Sequence, residues 1–471
     1  MDRQYEAAVQ DLAASLQGRL IRPSDRDYDN ARIIHNAAYN RRPQLIVQAA
    51  DAADVIAAVR FAGEHDLELA VRSGGHSIPG YGTSDDIVVE FSRMKALAID
   101  PESRTVRAEP GLTWGEITEA AHAYGLAVPA GDTGTVGVGG LTTGGGIGWL
   151  VRKHGLTIDC LLAVDIVTAD GRLLRASKDE NPDLFWAVRG GGGNFGIITA
   201  FEFRAHPVGM IVGGAIFYDA AEGESVLRGY ADYARSAPDE LTTIVFIMRA
   251  PPLPFIPPEK VGTQVIAIGV TYAGDLDEGQ RVVDPLRKLG TPIADAMAPM
   301  PYPAIYMLTA EAGVPGHYAE VRSMFLDELG DDAIETMMEQ TRAITSPFGL
   351  VQMRVLGGEM ARVPRDATAF YHRDAAIMLS GISVWMDPSE SPRHVAWTET
   401  FGRAMAPYAN GVYVNFLSDE GEARIREAYG PETYERLAAL KARYDPTNLF
   451  HLNQNVKPTD DSAEGYGDEA A

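Results

Sequence analysis

The chain has 471 residues, a length that predicts two domains, or three subdomains, rather than one core. Its 46% hydrophobic and 23% charged content is that of a globular protein, and its net charge of −24 argues against nucleic-acid and membrane partners, since such a field repels phosphate and anionic lipid. The single cysteine, Cys160, excludes a disulfide framework and a Cys-rich zinc or iron–sulfur site, so no metal is expected. The charged start lacks the apolar stretch of a signal peptide, and no run of about 18 apolar residues predicts a membrane span, so a cytoplasmic protein is expected.

Ala7, Val9, Leu12 and Leu16 have helical spacing and predict a helix over 6–16. Residues 19–40 are polar and expected to be irregular. A strand is predicted over 45–48, followed by a helix whose first turn takes Asp51 and Asp54. Further strands are predicted over 67–71, 87–91 and 105–108, then a helix from an N-cap at Thr113 to His122. Strands over 162–169 and 172–176 flank Asp170-Gly171, a hairpin signal in which both residues tolerate positive φ. A short helix over 184–188 and a strand over 195–203 complete an α+β nucleotide-binding unit. It departs from Rossmann order: its glycine loop comes late, and Gly137-Val-Gly-Gly-Leu-Thr does not fit G-x-G-x-x-G. The character changes near Arg204. Strands over 211–248 and 264–272 alternate with helices, including one over 219–236, and residues 251–258 form a proline-rich loop. A second domain with a largely antiparallel sheet covered by helices is therefore expected over 206–410. A segment over 411–458 follows, then an acidic, disordered tail over 459–471.

Gly139, Gly140, Gly144, Gly145, Gly146 and Gly148 fall within ten residues, and Gly74-Gly75 and 190–193 are further clusters. Successive bare backbone N–H groups suit the pyrophosphate of a dinucleotide, though tightly packed loops have the same composition. His76 follows Gly74-Gly75 directly. It is either a structural histidine or, where its ring is neutral, a nucleophile toward a cofactor.

Four stretches now combine: Arg72-Ser-Gly-Gly-His-Ser-Ile-Pro-Gly-Tyr, the glycine run from Gly137 to Asp159, Phe185-Trp-Ala-Val-Arg-Gly-Gly-Gly-Gly-Asn-Phe-Gly-Ile, and Tyr444-Asp-Pro-Thr-Asn-Leu-Phe with Asn453-Gln-Asn. In that order they resemble the berberine bridge enzyme-like FAD-linked oxidases of the vanillyl-alcohol oxidase superfamily, including bacterial 6-hydroxy-D-nicotine oxidase-type members. The resemblance spans nearly the whole chain. It implies a PCMH-type FAD-binding domain of two α/β subdomains over 1–205, with an 8α-histidyl bond from His76 to FAD. It further implies an FAD lining of Arg72, Ser73, Gly74, Gly75, Ser77, Tyr81, Pro110, Gly111, Thr133, Val138, Gly139, Gly140, Gly144, Gly148 and Ile197. The resemblance also implies that Asn453 and Asn455 return to the flavin from the C-terminal segment.

Two departures from the family stand out. Many members add a second flavin bond through a cysteine where this chain has Thr133, so a single covalent bond is expected and Cys160 is assigned to the core. Members also carry Tyr-x-Asn-Tyr late in the chain, where this one has Tyr413-Val-Asn-Phe416. Alternation along a strand would put Tyr413 and Asn415 on one face and Val414 and Phe416 on the other. Tyr413 and Tyr371 are the candidate catalytic groups. The expected activity is oxidation of a C–H beside oxygen or nitrogen in a small organic substrate, with molecular oxygen or another acceptor taking the electrons. Phe370, Tyr371, Trp385 and Met353 are candidate walls of the substrate site.

Overall fold

The computed structural model describes residues 3–459. The acidic tail expected beyond Thr459 lies outside the described residues. The fold is α+β, built on three main sheets.

The first sheet has the order Arg19–Ile21, Leu45–Gln48, Ile87–Glu90, Leu69–Arg72. Its first pair is antiparallel and the other two are parallel. Helices Arg3–Ser15 and Ala52–Glu64 share a core with it through Val9, Leu12, Val47, Val55, Val59 and Val89. Asp51 caps the second helix by accepting the Asp54 N–H at 3.0 Å. Residues 19–40 are not irregular throughout. They supply the strand Arg19–Ile21 and the helix Tyr28–Arg32, elements of three and five residues that are too short for a periodic signal.

The second sheet is antiparallel, in the order Leu97–Asp100, Thr105–Ala108, Ile197–Arg204, Leu161–Val167, Leu173–Ser177. Helix Trp114–His122 starts at a capping box between Thr113 and Glu116. At the Asp170-Gly171 turn only Gly171 takes a left-handed conformation (φ +71°), whereas Asp170 accepts hydrogen bonds from Thr168 and Arg172. The glycine run does not stay extended: Val138–Gly144 coils into a helix. Within it the Thr142 hydroxyl donates to the Val138 carbonyl at 2.6 Å, and the chain reverses at Gly145 (φ +139°) and Gly146 (φ +84°).

The third sheet is antiparallel throughout, in the order Pro292–Asp295, Met210–Asp219, Gln264–Tyr272, Leu241–Arg249, Leu350–Val355, Ile377–Trp385, Tyr318–Leu326. Period-two alternation divides its faces. Val245, Ile247, Val351 and Met353 pack under helices Gly223–Ala234, Asp331–Arg342 and Ser391–Met405. Ile244, Phe246, Ala215 and Phe217 pack instead around Trp149, just after the glycine run. The sheet thus lies over the glycine-rich region with its helices on the far side. Helices Glu422–Tyr429 and Pro431–Tyr444 bring the chain back to the core of the second sheet. No helix among the described residues is long and apolar enough to cross a membrane.

Candidate cofactor and active site

The strand Leu69–Arg72 delivers Ser73, Gly74, Gly75 and His76 to the start of the glycine run. Ser73 is the latch: its hydroxyl donates to the Pro110 carbonyl at 2.5 Å and accepts the Gly139 N–H at 3.3 Å. Gly74 and Gly137 meet backbone to backbone. A Cβ on Gly74 would lie 2.3 Å from the Gly137 nitrogen, and one on Gly137 would lie 2.2 Å from the Gly74 nitrogen. Any side chain at either position would force the two loops apart. Gly111 is equally confined, since its Cβ would fall 1.9 Å from the Phe91 carbonyl oxygen. Arg72 is buried and donates to the carbonyls of Ala31 and Ile33, which ties the loop to the C-terminal end of the helix Tyr28–Arg32. Ser77 accepts the Tyr81 N–H at 3.2 Å and closes the following turn.

Gly74, Gly75 and His76 line a cleft of about 500 Å³ together with His35 and Thr135. Burial pulls His76 down to about 3, helped by the neighbouring His35, while a hydrogen bond with the Thr135 backbone opposes the shift. The His76 imidazole is therefore neutral at physiological pH. It stacks on His35 with ring centroids 4.2 Å apart and planes 26° apart.

The far end of the Val138–Gly144 helix carries a second group. The Tyr413 hydroxyl accepts the Gly146 N–H at 2.8 Å and the Asn415 side-chain amide at 2.9 Å. Asn415 also donates to the Leu141 carbonyl at 3.1 Å, and its side chain fills the place a Cβ on Gly144 would take. Burial pushes the Tyr413 phenol up to about 12 against the lowering effect of both hydrogen bonds and of Arg354. Residues 413–416 do not form the expected strand. Val414–Phe416 is a 3₁₀ turn, closed by the Phe416 N–H donating to the Tyr413 carbonyl at 2.9 Å. Tyr413 and Asn415 do meet, but Phe416 is not on an opposite face: its ring stacks on Tyr413 at 5.9 Å.

Arg354 extends this group. Its Nε and Nη2 donate to Asp132 at 3.0 and 2.6 Å, its guanidinium lies 4.7 Å over the Phe416 ring, and Gln352 donates to the same carboxylate at 3.4 Å. Thr133, next to Asp132, donates to it at 3.3 Å. Cys160 is far along the chain in a different setting. It is buried with its Sγ 3.2 Å from the His206 Nε2, and burial pushes its thiol well up.

The C-terminal segment forms a third group. The fully buried Lys441 ammonium donates to Asp445 at 2.6 Å and to the carbonyls of Asn194 and Phe450 at 2.8 and 2.9 Å. It joins the loop after Gly190–Gly193 to the chain that presents Asn453 and Asn455. The Oδ1 atoms of both asparagines are buried with no hydrogen-bond partner among the described residues. Ile197 is buried in the core of the first sheet beside Phe450, Val138 in the core of the second, and Gly148 packs against Ala130 and Gly131. Gly140 is open: a Cβ there would meet nothing within 4 Å among the described residues.

Three features fit a bound flavin dinucleotide: the open backbone at Gly140, the two orphaned amide oxygens, and the neutral imidazole in the cleft wall. Tyr371 does not join these groups. It borders a separate pocket with Asp327, Arg365 and Asn410, where its hydroxyl accepts from Arg365 at 3.3 Å. Met353 faces the helices of the third sheet, and Trp385 stacks on Tyr318 and packs at a tilt against His394, so neither reaches the glycine run. Phe370 does, at 2.9 Å from the place of a Gly145 Cβ. The sequence reading missed Gln352 and Arg354. The alternation of Val351, Met353 and Val355 with these two polar residues is the signal that marks them.

Residues 43–177 match the FAD binding domain family, and residues 412–457 match the family described as berberine and berberine like. The chain is 32% identical to the FAD-linked oxidoreductase YgaK of Bacillus subtilis, over 94% of this chain and 97% of that one. It is 31% identical to (R)-6-hydroxynicotine oxidase of Paenarthrobacter nicotinovorans, again over 94% and 97%. Its fold is similar to the crystal structure of 6-hydroxy-D-nicotine oxidase from Arthrobacter nicotinovorans, with a TM-score of 0.85 and 29% identity over 94% of this chain and 99% of that one.

Proposed function

The chain belongs to the berberine bridge enzyme-like FAD-linked oxidoreductases, and from that premise we propose that it is an oxidase whose FAD is joined covalently to His76 alone. The substrate is a small organic molecule with a CH–OH, CH–NH or activated C–H group, and the final acceptor is dioxygen, which leaves as hydrogen peroxide. When bound, FAD supplies a two-electron acceptor for the hydride from the substrate carbon. The observation that carries the proposal is the His76 imidazole, held neutral in the wall of a cleft that Gly74, Gly75, His35 and Thr135 also line.

The protein residues divide the remaining work. Ser73 holds the two glycine loops in register through Pro110 and Gly139. The His76 ring lies against the His35 ring, with centroids 4.2 Å apart, which sets its plane. Thr133 cannot form the thioether that a cysteine would, and the one cysteine of the chain is buried elsewhere, so attachment rests on one bond. Tyr413 handles the proton. Its oxygen already accepts from Gly146 and Asn415, and both donors favour the phenolate needed to take a proton from a substrate hydroxyl or amine. Arg354 adds positive charge from across the Phe416 ring, tempered by Asp132. The third sheet covers this end of the site and limits access of water to it.

Acid precipitation of the purified protein tests attachment: yellow colour that stays with the pellet supports it, and colour left in the supernatant refutes it. Anaerobic bleaching of the flavin by a candidate substrate, followed by peroxide release on admitting air, tests the oxidase assignment.

A further inference from the structure

His35 has no part in the function derived so far, yet it is held against His76 from several directions. Its N–H donates to the Gly75 carbonyl at 3.1 Å, and its carbonyl accepts the Gly316 N–H at 3.1 Å. The next residue, Asn36, is buried and donates to the carbonyls of Ile78 and Ala319 at 2.8 and 3.0 Å. These bonds clamp the segment between the His76 loop and the strand Tyr318–Leu326. The His35 and His76 rings stack at 4.2 Å with planes 26° apart. In that arrangement neither ring can hydrogen-bond the other, because imidazole lone pairs lie in the ring plane. Both rings line the same cleft. His35 Nε2 is buried with no hydrogen-bond partner among the described residues. Such an atom costs stability, and a folded protein that keeps one needs a reason.

We propose that His35 is the base of the flavin-attachment step, taking a proton from the same methyl carbon that His76 bonds. The role rests on the reading that His76 carries the flavin. The balance closes with dioxygen as the oxidant. A C–H bond of the flavin 8α-methyl group and the N–H bond of the His76 imidazole break, and one C–N bond forms between them. His35 Nε2 receives the methyl proton and later releases it. The two electrons freed, with two protons, reduce one dioxygen to hydrogen peroxide. Two stacked imidazoles suit this division of labour, since one methyl group can be met by a nucleophile and a base about 4 Å apart.

The test uses the full chain purified from riboflavin-starved cells, with FAD added in air. Bound and covalently attached flavin are read separately, the second by acid precipitation and by the mass of the His76 peptide. His35→Phe keeps a ring on His76 but has no nitrogen. It is expected to bind FAD within about threefold of the parent affinity and to attach it at least about 100-fold more slowly. His35→Ala is expected to recover attachment when free imidazole is added, which a packing role would not produce. Attachment by His35→Phe within about threefold of the parent rate would overturn the proposal. If His35→Phe binds no FAD, the imidazole experiment decides, and lack of rescue overturns the role. A parent protein that binds FAD without attaching it refutes the His76 reading itself, and the base goes with it.

Discussion

The Tyr413 phenol oxygen accepts the backbone N–H of Gly146 at 2.8 Å, which joins the late Tyr413-Val-Asn-Phe416 turn to the end of the glycine run. Among the described residues no acceptor takes the Tyr413 proton. Tyr413→Phe should lower the turnover number by about 10²- to 10⁴-fold while leaving attachment to His76 intact. Losing the acceptor for Gly146 and Asn415 should also cost about 1–3 kcal/mol in urea melts. With the phenol at about 12, the phenolate gains population as pH rises, so kcat/KM should climb with pH through the neutral range. A flat profile, or an unchanged turnover number in the variant, would remove Tyr413 from the chemistry.

Gly140 and Gly137 separate the proposed cofactor contact from a structural one. A Cβ on Gly140 meets nothing within 4 Å in a helical turn. Gly140→Ala should therefore leave the flavin-free chain as stable as before, or up to about 1 kcal/mol more so, while FAD uptake falls. Gly137→Ala forces a Cβ to 2.2 Å from the Gly74 nitrogen and should weaken both folding and FAD uptake. Unimpaired flavin loading of Gly140→Ala would place the dinucleotide elsewhere.

Lys441 is the cation that fastens the C-terminal segment to the Gly190–Gly193 loop. Lys441→Met leaves Asp445 charged and buried, so chemical denaturation should show a loss of about 3–5 kcal/mol. The same variant should release Asn453 and Asn455 from their positions and lower flavin content. A loss below about 1 kcal/mol would contradict the assignment.

His154 gives the expected acid sensitivity. It stacks on His206 at 4.1 Å, and burial, with the nearby His206 and Lys153, pulls it down to about 3. Protonation is thus easier in the unfolded chain, where the value is about 6.5. The contribution of His154 to stability is complete above pH 6.5 and is lost as pH falls from 6.5 toward 3. Urea midpoints should drop across that window, and less so in His154→Phe.

Much of the fold was legible because its signals are local. Asp51, Thr113 and the Asp170-Gly171 pair mark element ends through hydrogen bonds to residues two or three positions away. The glycine run was harder: its composition argues against a helix, and Val138–Gly144 coils because the Thr142 hydroxyl and the flanking Gly137 and Gly145 turns let it. Tyr413-Val-Asn-Phe416 has the alternation of a strand, yet it lies outside every sheet and so gains no ladder partner to keep it extended. His35 carried no motif, and Arg354 carried only the alternation of its strand. Their positions depend on contacts 41 and 222 residues away along the chain, the first with His76 and the second with Asp132.

The central claim is a single covalent bond at His76, and intact-mass measurement under denaturing conditions tests it most directly. The parent chain should carry the mass of one FAD, and His76→Ala should show the bare chain while still taking up flavin reversibly. A parent at the bare-chain mass, or a His76→Ala variant that keeps the adduct, would contradict the account.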